Sequence, residues 1–215
     1  MAKADDIVTA LIEDHGTLYS EDIGANIARD EPVQWFHWLV GVQLMSARIA
    51  AGNAVQAARA LKDEGLHKVD ALAQVNRNHL VKVLNENGYA RYDNQGADRL
   101  RAMAKEVAEF HAGDLRHLRD QGGDRQGILS HLRRLTGIGP GGASIFAREA
   151  QIAWGALFPT LEDPAAGQAR KLGLPDNAGT LADKAGSAER YTRLVAALTR
   201  AALDGPTERV EKVAA

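Results

Sequence analysis

An all-α fold is what this sequence predicts, on three observations. Ala and Leu, both strong helix formers, are abundant, whereas aromatic residues make up only 5% and β-branched residues are sparse. Apolar residues recur on one side of several segments at the three-and-four spacing of a helix. No segment alternates apolar and polar residues as a half-buried strand would, and no short-period repeat is present.

The elements follow in order. Residues 4–14 carry Ile7, Val8, Leu11 and Ile12 on one side, a short amphipathic helix. Residues 16–30 are mixed and contain Gly16 and Gly24. Glu31-Pro32 then starts a strong helix, with proline at a first-turn position. Residues 33–47 (VQWFHWLVGVQLMSA) are apolar nearly all round, the pattern of a helix in the middle of a helical domain. Core packing is therefore expected around Trp35, Phe36 and Trp38, with His37 a core or boundary histidine rather than a ligand. Gly52-Asn53 opens a helix over 54–61, and a short helix spans 69–75. Asn76 or Asn78 caps another that stops at Gly88. Residues 89–94 read as a loop, and 95–110 as an amphipathic helix with Leu100, Met103, Ala104 and Val107 on one face. Gly113-Asp114 begins a short element that Gly122-Gly123 breaks. Two helical runs, 125–134 and 143–154, flank a glycine-rich turn. Residues 164–175 read as a helix ending at Gly173 and Pro175. Residues 187–203 form a strong amphipathic helix with Ser187 and Arg190 in its first turn, and 204–215 a frayed tail.

Composition narrows the functional classes. At 215 residues and 45% apolar, the chain suffices for one large or two small domains with ample core. It has no Cys, which excludes disulfides, thiolate zinc sites and Cys-ligated iron–sulfur clusters. No apolar run approaches the roughly 20 residues of a membrane span. The N-terminus reads as a charged amphipathic helix rather than a signal peptide, so a cytoplasmic protein is expected. The seven histidines are scattered without metal-ligand spacing, so no metal site is expected. With a net charge of −2, any contact with nucleic acid must come from a local patch.

The stretch Leu135-Thr136-Gly137-Ile138-Gly139-Pro140-Gly141-Gly142-Ala143 carries the clearest signal. Its glycines permit positive φ and close approach of another backbone. The helix expected from Gly142-Ala143 presents unpartnered N–H groups and a positive dipole end, suited to a phosphate oxygen, often with a bound monovalent cation. On spacing alone a plain tight helix–helix turn explains the stretch equally well. Arg116, Arg119, Arg125, Arg133 and Arg134 cluster before it and, with Arg148 and Lys171, offer either a phosphate-facing patch or a solvated face.

This stretch resembles the L-x-G-[VI]-G-x-x-x-A signature of the helix–hairpin–helix DNA glycosylases, the superfamily of endonuclease III and of the adenine mismatch and alkyl-adenine glycosylases. Three further segments match in order. Leu44-Met45-Ser46-Ala47-Arg48 is similar to L-L-S-A-Q, Arg91-Tyr92-Asp93-Asn94-Gln95-Gly96-Ala97 to G-[LFY]-Y-N-x-K-A, and Lys171-Leu172-Gly173-Leu174 to the R-L-G-L after the catalytic acid. The resemblance implies two helical lobes. A six-helix barrel over 31–156 contains the hairpin, and 1–30 with 157–215 forms the other lobe. It also implies a monomer that holds double-stranded DNA and flips a damaged or mispaired base.

The same resemblance assigns roles. Gly137, Gly139, Gly141, Gly142 and Ala143 would hold a phosphate, with Arg134 beside them. Arg48 stands where the family has the Gln that fills the hole left by the flipped base, and Tyr92, with Arg91, where another residue wedges into the duplex. Gly141 stands where bifunctional members carry the lysine that forms a Schiff base, so strand cleavage from this position is excluded. The family's essential acid falls on Asp163, by residue type and as a helix N-cap ahead of Pro164, or on Glu162, by ungapped counting. Pro164-Ala165-Ala166-Gly167-Gln168 departs from the family's T-H-x-x-R, and the four cluster cysteines are absent. The expectation is a monofunctional, cluster-free glycosylase; the alternative is a DNA-structure binder without chemistry.

Overall fold

The structure, a computed structural model, describes residues 2–215. It is all-α, with no strand among the described residues. No helix there is long and apolar enough to cross a membrane. The chain forms two compact units: Met1–Tyr19 with Ala147–Ala215, and Ser20–Phe146.

The central unit is built on α3 (Pro32–Met45). Pro32 sits in its first turn, where a missing N–H costs nothing. Trp35, Phe36, Trp38, Leu39, Val40, Val42 and Leu44 are fully buried along it, as a helix apolar on every side requires. Around it pack α4 (Ala51–Asp63), α7 (Asp93–His111) and α8 (Leu115–Gly122), and α5 (Val69–Gln74) and α6 (Arg77–Leu84) cover α7. α9 (Arg125–Leu132) lies against α8 and leads into the glycine turn, and α10 (Pro140–Ala150) leaves it. The indole of Trp38 donates to the Phe146 carbonyl at 3.3 Å, tying α10 to α3.

The region 89–94 is not a loop: Ala90–Tyr92 forms a 3-10 turn and α7 begins at Asp93. Asp93 explains the early start. Its nearly buried carboxylate accepts from the Asn85 side chain at 2.6 Å and from the Asn94 backbone at 2.6 Å, and the Asn85 bond foremost holds its pKa below the usual carboxylate value. Residues 16–30 contain a helical turn, α2 (Tyr19–Asp22), and a 3-10 turn at Ile27–Arg29.

The terminal unit centres on α13 (Ala188–Asp204), packed by α1 (Ala2–His15), α11 (Ala165–Lys171) and α12 (Ala178–Ala185). Ile7, Val8 and Leu11 of α1 meet Leu194, Val195 and Leu198 of α13 in its core. The sequence left α12 unassigned, although Asn177 caps it by accepting from the Thr180 N–H at 3.2 Å. Residues 204–215 are not a frayed tail. They contain α14 (Glu208–Ala214), packed on α1 with Val210 fully buried. Thr207 caps that helix and donates to Asp14 at 2.5 Å, and Arg209 pairs with Asp14 at 3.2 Å. Two valines, two terminal alanines and one cap in a charged segment are too weak a periodic signal to read without α1.

His37 makes the central unit sensitive to acid. It is 1% exposed, its Nε2 lies 3.4 Å from the Ala58 carbonyl, and the His67 ring is 5.3 Å away. Burial pulls its pKa from 6.5 down to about 4, against a smaller upward pull from the Ala58 bond. Because the folded value lies below the unfolded one, the unfolded chain takes up the proton first as pH falls. This contribution is fully present above pH 6.5 and lost on the way down to 4, about 3 kcal/mol by the lower limit. Urea unfolding of wild type and His37→Phe from pH 7 to 4 measures it. The wild-type curve should fall and the variant's slope should be much reduced; parallel curves would discard His37 as the cause.

Candidate functional site

The glycine turn is docked onto two helices, which explains most of its residues. Leu135 and Ile138 are buried and anchor it in the core. The Thr136 N–H donates to Glu106 Oε2 at 2.7 Å and its hydroxyl to Oε1 at 2.5 Å, fastening the turn to α7. Gly137 has φ +86°, and a Cβ there would stand 2.9 Å from Gln43 Nε2 on α3. Gly142 is buried, and a Cβ on it would stand 2.9 Å from Ser46 Oγ, just past the end of α3. Ala143 is buried, and its N–H donates to the Gly139 carbonyl at 2.9 Å, the first bond of α10.

Ala143 is thus not a free phosphate donor, because its N–H already serves the helix. The N–H groups of Gly141 and Gly142 precede that bond and have no intrahelical partner. Gly139 and Gly141 stand apart: both are exposed, neither has positive φ, and a Cβ on either would meet nothing within 4 Å. The fold itself does not require glycine at these two positions.

A substitution pair separates the two kinds of glycine. Gly137→Ala should cost about 1–2 kcal/mol, since a left-handed φ is strained for any residue with a Cβ. Gly139→Ala should leave stability within roughly 0.5 kcal/mol of wild type. Urea denaturation checks both, and equal stability of the two would contradict this assignment.

The turn lines a recess of 670 Å3 with Met45, Ser46, Arg99, Arg133, Arg134 and Ile145 among its walls. Arg133 and Arg134 are exposed, and the Arg133 Nε donates to the Leu129 carbonyl at 3.1 Å. A second recess of 250 Å3 shares Ser46 and Arg99 with it and adds Gln43, Arg48, Tyr89, Tyr92 and Gln95. Three segments far apart in sequence, around 44–48, 91–97 and 135–143, therefore meet on one face of the central unit. Arg48 is exposed there. Tyr92 is half-buried, with its ring 6.3 Å from Tyr89 and the Arg91 guanidinium carbon 5.4 Å from its centroid. Arg91 is exposed and reaches this face through Tyr92. Gly96 lets Tyr89 pack beneath, since a Cβ would stand 2.8 Å from Tyr89 Cε1.

Sequence reading missed Arg99 and Gln43. Gln43 is 4% exposed, and its Oε1 has no hydrogen-bond partner. A glutamine in a helix otherwise apolar all round was the available signal. Arg99 lies one turn beyond Gln95 on α7, and only the docking of α7 beside the turn gives it meaning.

Two of the arginines that precede the turn in sequence are already paired with carboxylates. Arg116 forks onto Asp114 at 2.7 Å, and Arg119 pairs with Asp120 at 2.8 Å and Asp30 at 3.2 Å. Arg148 belongs to the terminal unit, where burial pulls its pKa down while Glu149, Tyr19 and Glu162 act the other way.

The acidic pair also lies in the terminal unit. Asp163 is exposed, and its Oδ1 accepts from the Gly167 N–H at 3.0 Å. The N-cap residue of α11 is Pro164, so Asp163 stands one position earlier than the sequence suggested and still satisfies an N–H of the first turn. Glu162 is half-buried and contributes to the field on Arg148. Lys171 is exposed at the end of α11. Among the described residues, no group of three or more His, Asp or Glu side chains is placed to hold a metal ion.

No protein-family model matches the chain, and the search of characterised proteins returned no match to it either.

Proposed function

We propose that this chain is a DNA-repair glycosylase of the helix–hairpin–helix kind, acting on double-stranded DNA by hydrolysis of the N-glycosidic bond without strand cleavage. The observation that carries the DNA-binding half is the pair Gly139 and Gly141. They are glycines that the fold does not require, on an exposed turn beside two helix-start N–H groups and next to Arg133, Arg134 and Arg99. A backbone kept bare toward solvent suits close approach by another backbone, here a phosphodiester. Such a contact positions the duplex and reads no sequence. In this reading the central unit corresponds to the family's six-helix barrel, and Arg48 and Tyr92 are the side chains that enter the stack. Asp163, or Glu162, stabilises the positive charge that develops on the sugar as the base departs.

A second reading, a DNA-structure binder without chemistry, draws on the engagement of Asp163 Oδ1 with the Gly167 N–H, which gives that carboxylate a purely local role. One experiment tests both. Duplexes carrying a panel of damaged and mispaired bases are incubated with the protein at graded salt, and base release and mobility shift are scored together. Binding that weakens with salt, with release from at least one duplex, supports the glycosylase. Binding without release supports the second reading, and no binding at low salt discards both.

A further inference from the structure

A third recess of 320 Å3 lies behind the glycine turn, walled by Glu106, Phe110 and His111 of α7, Gln121 of α8, His131 of α9, and Arg134 and Leu135. Its volume falls in the ~300–1,000 Å3 range of small-molecule sites. Phe110 is 60% exposed and is the one phenyl ring in the wall, so it offers a surface on which a flat ligand can stack. His111 is 6% exposed and hydrogen-bonds the Gln121 side chain, while its Nδ1 is buried without a partner. A buried ring nitrogen left unpaired is costly, and a ligand edge in the recess would relieve that cost. The tautomer follows whichever end of the Gln121 amide faces the ring, so Nδ1 can act as donor or acceptor. Both Glu106 oxygens already engage Thr136, which leaves Arg134 as the charged group with capacity for a ligand.

We propose that this recess binds an unpaired nucleobase carrying a phosphate. The base stacks on Phe110, its polar edge meets His111 Nδ1, and the phosphate lies at Arg134. Arg134 and Leu135 also line the recess of the glycine turn, so a strand held at the turn reaches Phe110 along its own backbone. For a strand end the inference rests on the duplex-binding reading; for a free nucleotide it does not.

The test compares a blunt duplex with the same duplex bearing a short 3′ or 5′ overhang, by fluorescence anisotropy. One overhang should tighten binding roughly tenfold, the scale of one base–aromatic stack. Phe110→Ala should abolish that gain and keep the blunt-duplex affinity, and Phe110→Trp should retain it. In parallel, adenosine monophosphate is titrated while the His111 ring signals are followed by NMR. A ring shift in wild type but not in Phe110→Ala, with no overhang gain, supports the recess and makes a free nucleotide its ligand. The same shift with no duplex binding supports the recess and discards the duplex reading. Equal blunt and overhang affinities with no ring shift overturn the proposal while leaving duplex binding intact. An overhang gain that survives Phe110→Ala overturns it as well.

Discussion

Asp163→Asn is expected to reduce base release by roughly a hundredfold or more while leaving duplex affinity and fold stability unchanged. The substitution is a clean one for structural reasons. The contact that Asp163 makes in the fold is Oδ1 accepting from the Gly167 N–H, and the amide oxygen of Asn can accept the same bond. The side chain is exposed, so exchanging a carboxylate for an amide of equal size opens no cavity and strands no charge. What disappears is the negative charge, which a glycosylase needs opposite the developing oxocarbenium ion. Single-turnover release from the best lesion duplex, read as alkali-labile sites, measures the effect. Undiminished release would reduce Asp163 to a local helix-start contact, and Glu162→Gln would then decide whether the half-buried neighbour is the acid.

Gly141→Lys is expected to give a protein that borohydride traps on abasic duplex DNA. Gly141 is exposed in the first turn of α10, with nothing within 4 Å of a Cβ there, so the side chain is accommodated. Lysine gains roughly 0.5–1 kcal/mol of helix propensity over glycine and loses a few tenths to the dipole at a helix N-terminus, leaving stability near wild type. If the turn holds the phosphate beside the target sugar, the new amine condenses with the sugar aldehyde, water leaves, and borohydride reduces the imine to a permanent link. Wild type should give no such link from this position. A variant that binds the abasic duplex yet is never trapped would place the turn away from the reacting sugar.

How much of the site was legible varies with the kind of signal. The burial of Trp35, Phe36 and Trp38 was readable because a helix apolar on all sides has nowhere to go but the interior. The caps at Asn76, Asn177 and Ser187 use side chains whose hydrogen bonds are local; the sequence offered Asn76 beside Asn78, placed Ser187 inside the first turn rather than at the cap, and left Asn177 unread. Within the glycine stretch the sequence treats all four glycines alike. The fold separates Gly137, which needs positive φ, and Gly142, which needs close approach, from Gly139 and Gly141, which it leaves unexplained. Arg116 and Arg119 look like Arg133 and Arg134 along the chain. Asp30, Asp114 and Asp120 engage the first two, and one of those three partners is more than eighty residues away.

Local chemistry alone determined that the chain is helical, where most helices start and stop, that one helix is central, and that one turn is rich in glycine. Such features depend on residues within a turn or two of each other, so they are written in order. Tertiary structure alone decided that residues 44–48, 91–97 and 135–143 share a face through Ser46 and Arg99. It also decided that Phe110 and His111 open a recess behind it, and that 208–214 is a packed helix rather than a tail. Each of these requires segments brought together by burial of their apolar faces. That burial is a sum over the whole core, with no single residue to announce it.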